Sequence, residues 1–242
     1  MLGLGNSLKK TGLVTPGIVT DSLVMKHNYS AGAVVPVSDG STYFDGANSR
    51  AHTAADITIS GDITFSVWVK SMVGDNSDIK TIFNFGDQQN DEGFVWAYIQ
   101  NASAAYSVKV FNTYYSSSDY YNWMHLAFKY DVSEAQPLTL FKNGVNITSG
   151  ISGAGSAPVT SVSSELFSIG SYNNTDANQF TGYICNLSVW TGLLSDSQIR
   201  GIMYQNYDEA FGAIGTQPLH WWGLSSTADQ GSSNKTLTIV GE

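Results

Sequence analysis

The chain has 242 residues, room for one all-β domain with appendages, and its 42% hydrophobic and 12% aromatic content supplies a sizeable core, which excludes global disorder. Only 13% of residues are charged and the net charge is −9; Lys and Arg cluster nowhere beyond Lys9-Lys10, which excludes the basic patch that nucleic-acid binding needs. The one cysteine, Cys185, precludes an intramolecular disulfide, and no apolar run approaches the ~18 residues of a membrane span.

Residues 1–40 differ in style from the rest. The opening "MLGLGNSLKKTGLVTPG" is broken by Gly, Asn and Lys before a long apolar stretch forms, so it makes a poor signal peptide. Scattered Gly and Pro and short β-branched runs fit either a flexible tail or an extended arm that orders against a partner. The stretch "IVTDSLVM" is too apolar for a solvated linker and favours the arm.

From Tyr43 onward strand signals recur about every 8 to 12 residues, the spacing of a sandwich. In "YFDGANSR", Asp45-Gly46 marks a tight turn at the start of that series. In "DITFSVWVK", Ile63, Phe65, Val67 and Val69 share one face and Thr64, Ser66, Trp68 and Lys70 the other. "TIFNFGD", "GFVWAYIQ" and "SVKVFN" follow the same alternation. "WMHLAFKYD" sets Met124, Leu126, Phe128 and Tyr130 opposite Trp123, His125 and Lys129. "LTLFKNGVNIT" is a hairpin signal, because Asn143-Gly144 suits the two positive-φ residues of a type I′ turn. "LFSIGS" and "GYICNLSVW" continue the series.

One helix is expected near 195–211. Ser195 is its N-cap, Gln198 completes a capping box and Leu194 staples onto Ile199. Ile199, Ile202, Met203, Ala210 and Phe211 recur at helical spacing and Gly212 ends it, which makes an amphipathic helix on a sheet edge. The tail "LHWWGLSSTADQGSSNKTLTIVGE" returns to strand grammar and is expected to pair back into a sheet. The fold class is therefore all-β, a two-sheet antiparallel sandwich over residues 41–242 behind an N-terminal arm.

The ordered set "FDG" (Phe44 to Gly46), "ITFSVWVK", Trp123-x-His125-Leu126-Ala127, "LFKNG", "IGS" (Ile169 to Ser171), "GYICNL" and "LSDSQI" resembles the laminin-G-like members of the concanavalin A-like lectin/glucanase superfamily. The closing "WWGL…DQGSSNKTLT" is similar to a strand pair of the same family that often precedes the "FDG" strand, which fits a permuted order of the same sheets. The resemblance implies a jelly-roll sandwich that binds carbohydrate or protein, sometimes through a rim calcium ion. Where many members carry two carboxylates in the "GYIDE" strand, this chain has Cys185 and Asn186, which weakens a charged site there. The whole-chain style also resembles laminin-G-type structural proteins of tailed bacteriophages: an N-terminal arm, one lectin-like domain, low charge and many Ser, Thr, Asn and Gly. That likeness is one of style and fold.

Because the superfamily includes glycosidases, the carboxylates matter. Retaining enzymes need two carboxyls ~5 Å apart, which same-strand neighbours at i and i+2 provide. No acidic pair at that spacing exists here; Asp91-Glu92 and Asp208-Glu209 are adjacent instead. The histidines His27, His52, His125 and His220 show no zinc-ligand spacing. His125 and Cys185 read as structural, the latter as a small buried hydrophobe. No catalytic residues are expected and no cofactor is required. Calcium is the one cofactor the resemblance allows, with Asp75 and Asp78 in "GDNSD" and Asp176 in "YNNTDANQ" as candidate oxygens, although Asp, Asn and Gly of this kind also simply make turns.

The more suggestive stretch is "NTYYSSSDYYNW", expected at a loop tip. Tyr114, Tyr115, Tyr120, Tyr121 and Trp123 offer flat faces for sugar stacking or low-entropy contacts for a protein, or fold back onto the sandwich. The expectation is a non-enzymatic virion structural protein, a capsid decoration protein at the capsid surface (or in a tail appendage), anchored by its arm to the major capsid protein or to copies of itself. The alternative is a carbohydrate-binding module or tail adhesin that takes cell-surface glycans on the Tyr-rich rim. Neither nucleic acid nor a membrane is an expected partner.

Overall fold

The computed structural model describes residues 40–72, 79–87, 92–100, 105–110, 113–118, 122–134, 138–148 and 161–241. The arm expected over residues 1–40 lies, apart from Gly40, outside the described residues. The strands run β1 (Thr42–Asp45), β2 (Arg50–Thr53), β3 (Ile57–Ser60), β4 (Ile63–Ser71), β5 (Ile79–Asp87), β6 (Glu92–Gln100), β7 (Ala105–Val110) and β8 (Thr113–Ser118). They continue with β9 (Met124–Tyr130), β10 (Leu138–Lys142), β11 (Val145–Asn146), β12 (Ser161–Glu165), β13 (Phe167–Ile169) and β14 (Thr181–Thr191), then β15 (His220–Trp222) and β16 (Leu237–Val240). Two helices, α1 (Asp196–Ile202) and α2 (Tyr207–Ile214), separate β14 from β15.

Two seven-stranded antiparallel sheets result. Sheet A is ordered β1-β14-β4-β9-β10-β11, with β15 also on β14; sheet B is ordered β16-β2-β13-β5-β6-β7-β8, and β3 pairs with β12 apart from both. The long strand β14 has β4 along one side, while β1 (from Thr181 to Ile184) and β15 (from Leu187 to Val189) share the other in tandem. Between them the register shifts at a bulge in which Asn186 takes a positive φ of 47°. The closing "HWW" and "LTIV" segments thus return one strand to each sheet, as their alternation implies.

Period two decides which residues meet between the sheets. Phe65 of β4 and Phe128 of β9 on sheet A lie 4.7 Å apart, and Phe83 of β5 and Phe167 of β13 on sheet B lie 5.4 Å apart. The two pairs join through Phe65 and Phe83, whose ring centroids are 5.6 Å apart. Each such ring pair adds about 0.5–1.5 kcal/mol beyond the area it buries. The Asn143-Gly144 hairpin forms between β10 and β11 with φ of 49° and 74° at the two residues, as a type I′ turn requires.

The helical region differs from the single element expected. Asn206 breaks it: its side chain accepts from the Glu209 backbone N–H while Glu209 reaches back to the Asn206 N–H, a second capping box that starts a second helix. Gly215 at φ 76°, not Gly212, ends α2. The helices cover a sheet face and not an edge. Ile199, Ile202 and Ala210 cluster with Ala127, Phe141, Trp190 and Trp221, whose strand neighbours point the other way into the sandwich core. Phe211, counted on the apolar face, is 40% exposed. This covering explains why β4 is buried on both sides. Its hydroxyl-bearing face is satisfied locally: the Thr64 hydroxyl donates to the Gly192 carbonyl at 2.9 Å and accepts from the Leu194 N–H at 3.0 Å.

Gly182 of β14 shows how close the strands run. It sits at φ 146°, and a Cβ there would lie 2.1 Å from the Lys70 carbonyl oxygen of β4. Gly182→Ala should lower the unfolding free energy by about 2 kcal/mol, since neither strand backbone can retreat. Urea denaturation monitored by circular dichroism measures it, and an unchanged midpoint would contradict the packing described.

Candidate functional site

The Tyr-rich segment is a strand where it is described, not a loop tip: Thr113–Ser118 forms β8, the outer strand of sheet B, paired with β7. Tyr115 stands in the register row of Val108, Ala97 and Phe83, and Phe83 belongs to the core. Tyr114 stands in the row of Lys109, Trp96 and Asn84, which alternates with it. Tyr120 and Tyr121 lie outside the described residues.

Trp123 instead joins two tyrosines that the sequence reading passed over. Tyr43 of β1 and Tyr183 of β14 are directly cross-strand, with ring centroids 5.1 Å apart at 49°. The Trp123 ring lies 6.2 Å from Tyr183 at 43°. Alternation makes this strip. Phe44 and Ile184 point into the core with no exposed surface, so their neighbours Tyr43 and Tyr183 stand on the outer face of sheet A. Tyr43 is 49% exposed, while Tyr183 and Trp123 are half-buried. Beneath Trp123 lie Trp68, Cys185 and Met203, and the Trp68 indole N–H donates to the Met203 carbonyl at 3.1 Å. Met72, 50% exposed, and half-buried Lys70, across β14 from Tyr183, flank the strip. The rings are thus held from below and presented from above, and adjacent apolar faces of this kind mark contact surfaces.

Of the acidic candidates only Asp176 is described. Asp75 and Asp78 lie outside the described residues. Asp176 is engaged by Arg50 of β2, which donates through Nη1 to its carboxylate and through Nε to the Asn174 side-chain oxygen at 3.1 Å. The same loop is tied to β5, where the Asn173 N–H reaches the Asn84 side-chain oxygen at 3.0 Å and the Thr81 N–H reaches the Asn178 carbonyl at 2.7 Å. Asp176 thus belongs to a pinned turn in which its Oδ1 is paired with Arg50. Among the described residues no three His, Cys, Asp or Glu side chains gather as metal ligands. Asp45 is likewise occupied by its turn. Its Oδ1 accepts from the Ser49 hydroxyl and the Ala47, Asn48 and Ser49 N–H groups, and these hydrogen bonds, led by that from the Ser49 side chain, hold its carboxyl well below the usual range.

Two buried histidines complete the polar groups. His125 faces Ser66, with Nε2 2.7 Å from the hydroxyl, and burial pushes its pKa down to about 3. His220 pairs with Asp229, the one acidic residue buried among the described residues, at 2.7 Å. Neither opens onto the aromatic strip. They read as fixtures of the fold.

A sequence model of the concanavalin A-like lectin/glucanases superfamily matches residues 41–200. The chain belongs to this superfamily. Among solved structures, this lectin-like chain is similar to a candidate carbohydrate-binding protein from Bacteroides ovatus, at a TM-score of 0.51 and 14% identity over 83% of this chain and 60% of that one. It is also similar to domain 4 of AbnA, an extracellular arabinanase from Geobacillus stearothermophilus, solved with arabinotriose, at a TM-score of 0.49 and 22% identity over 72% of this chain and 82% of that one. The SAP-like pentraxin of Limulus polyphemus is similar at a TM-score of 0.47 and 14% identity, over 66% of this chain and 80% of that one. At such identities the likeness is one of fold. No curated protein matches the chain.

Proposed function

We propose that this protein is a non-catalytic, lectin-like domain that binds carbohydrate on the strip formed by Tyr43, Tyr183 and Trp123. The strip carries the reading. The apolar C–H face of a sugar ring packs on an aromatic face, and rigid rings spend little conformational entropy in doing so. Support comes from membership of the lectin/glucanases superfamily and from the fold shared with the Bacteroides ovatus candidate carbohydrate-binding protein. A non-catalytic role accords with the spacing of acidic residues in the sequence and with a buried Asp229 whose oxygens are all engaged by the fold.

The test is a glycan array followed by titration calorimetry on the parent, Tyr183→Ala and Trp123→Ala. Each substitution should weaken binding about tenfold, the loss of ~1.4 kcal/mol of ring contact. An array without hits, or variants that bind as the parent does, would sink the reading. Residence on a virion, with a capsid protein as partner and the arm as anchor, stands beside it as a separate proposal resting on the sequence resemblance. Copurification of the native protein with particles tests that one.

A further inference from the structure

Tyr43 also lines a groove of about 630 Å³ that begins where the aromatic strip ends. One wall is β1 and its approach, Ser41, Thr42 and Tyr43; the other is the segment from Leu224 to Thr227, closed at the far side by Ile239 of β16. The groove therefore lies at the margin where β1, at one end of sheet A, and β16, at one end of sheet B, come together. Its lining is rich in hydroxyls, from Ser41, Thr42, Ser225, Ser226 and Thr227, and includes no carboxylate, ammonium, guanidinium or imidazole. Ser225, Ser226 and Thr227 are exposed.

The groove is built and not incidental. Leu224 holds a left-handed φ of 63°, a conformation that costs a non-glycine residue about 1–3 kcal/mol, while its side chain is buried in the core. The Thr42 hydroxyl donates to the Leu224 carbonyl at 2.5 Å, which fastens the strained residue to β1 and sets the spacing of the walls. Such strain persists only where surrounding structure enforces it, and it concentrates at binding sites.

Building on the glycan reading, we infer that the strip and the groove form one extended site, which takes a linear, uncharged oligosaccharide. Sugar rings stack along Trp123, Tyr183 and Tyr43, and the chain then turns over the β1 edge into the groove. There its hydroxyls exchange hydrogen bonds with the Ser and Thr hydroxyls, which both donate and accept. A uronic or sialic acid would enter a groove without a cationic partner, in a protein of net charge −9, and lose the hydration of its carboxylate uncompensated.

The test titrates the full chain with di-, tetra- and hexasaccharides of the neutral glycan found on the array and with oligogalacturonides of matching lengths. Affinity should rise about tenfold from the disaccharide to the tetrasaccharide. It should stay level between 50 and 500 mM salt, because no charge pair is screened. Thr227→Trp and Ser225→Trp, each filling the groove from an exposed position, should remove the gain with chain length. Tyr183→Ala should weaken all lengths alike. Melting temperatures of the variants establish that they fold. Length-independent affinity, or a gain that survives both tryptophans, overturns the groove and leaves the aromatic strip standing. Oligogalacturonides that bind as tightly as neutral chains, or binding that falls with salt, overturn the uncharged assignment. If no glycan binds at all, the glycan reading itself falls and this inference with it.

Discussion

Replacing Asp229 with Ala should lower the unfolding free energy by about 3–5 kcal/mol, because it strips the acceptor from a buried cluster of donors. Its Oδ1 accepts from the backbone N–H groups of Trp221 and Gly231, both at 2.9 Å. Its Oδ2 accepts from His220 Nδ1 at 2.7 Å and from the Lys235 N–H at 2.8 Å. An ionised carboxylate only accepts, so Nδ1 of His220 carries a proton toward it, while Nε2 is buried without a hydrogen-bond partner among the described residues. The imidazole stacks on Trp222 at 4.8 Å, and Trp222 packs on Phe167 of sheet B at 5.2 Å. Asp229 thus fastens β15, the turn after it and the approach to β16 into one unit.

Asn is no substitute, since its amide nitrogen, in place of either oxygen, would face two of the four donors. Burial works to raise the Asp229 carboxyl, but the His220 donor and the three backbone N–H groups outweigh it and leave the group below its ordinary value. With the folded pKa depressed, the contribution is fully present above the unfolded carboxylate value, about 3.9, and is lost as pH falls through the lower folded one. Urea midpoints of the parent, Asp229→Ala and Asp229→Asn at pH 7 decide it. A loss under about 1 kcal/mol would mean that the cluster is satisfied some other way.

Much of the sandwich was legible because period two leaves an unambiguous trace: Phe65, Phe83, Phe128 and Phe167 each lie at the buried phase of an alternating run. The superfamily was legible for the same reason, through the order of those runs. Strand partnership was not, because it depends on turns and bulges far along the chain. The bulge at Asn186 places β1 and β15 end to end on β14, and it is this pairing that brings Tyr43 to Tyr183. A trace was present in "YFD" and "GYIC", where a tyrosine occupies the outward phase beside a buried Phe44 or Ile184. The second helix was readable in Asn206-x-x-Glu209, whose capping box was hidden by an apolar spacing that continued across the break.

Acid should weaken the domain in a second, higher window, and His125 should account for it. The ring is buried, with Ser66 at Nε2, the Trp68 ring 5.4 Å away and Nδ1 unpartnered. Its backbone is fixed as well: the His125 N–H donates to the Asn143 side-chain oxygen at 2.9 Å, and the Asn143 N–H donates to the His125 carbonyl at 2.8 Å. None of these partners supplies a negative charge, so burial pushes the imidazole pKa down from 6.5 to about 3. The unfolded chain takes up the proton near its ordinary value while the folded chain refuses it. Stability is therefore intact above about pH 6.5 and falls as pH drops toward 3, by up to ~4 kcal/mol over the window. His125→Gln keeps a polar group for Ser66 and cannot titrate. It should cost about 1–2 kcal/mol at pH 7 and flatten the profile between pH 6.5 and 4. Urea midpoints across that range distinguish the cases, and parallel profiles for parent and variant would show that the proton goes elsewhere. Because Trp68 packs on His125 and shares a cluster with Trp123, the acid-sensitive ring lies in the layer that supports the aromatic strip. The folded ring stays neutral across this window, so sugar affinity should hold level there for as long as the domain remains folded.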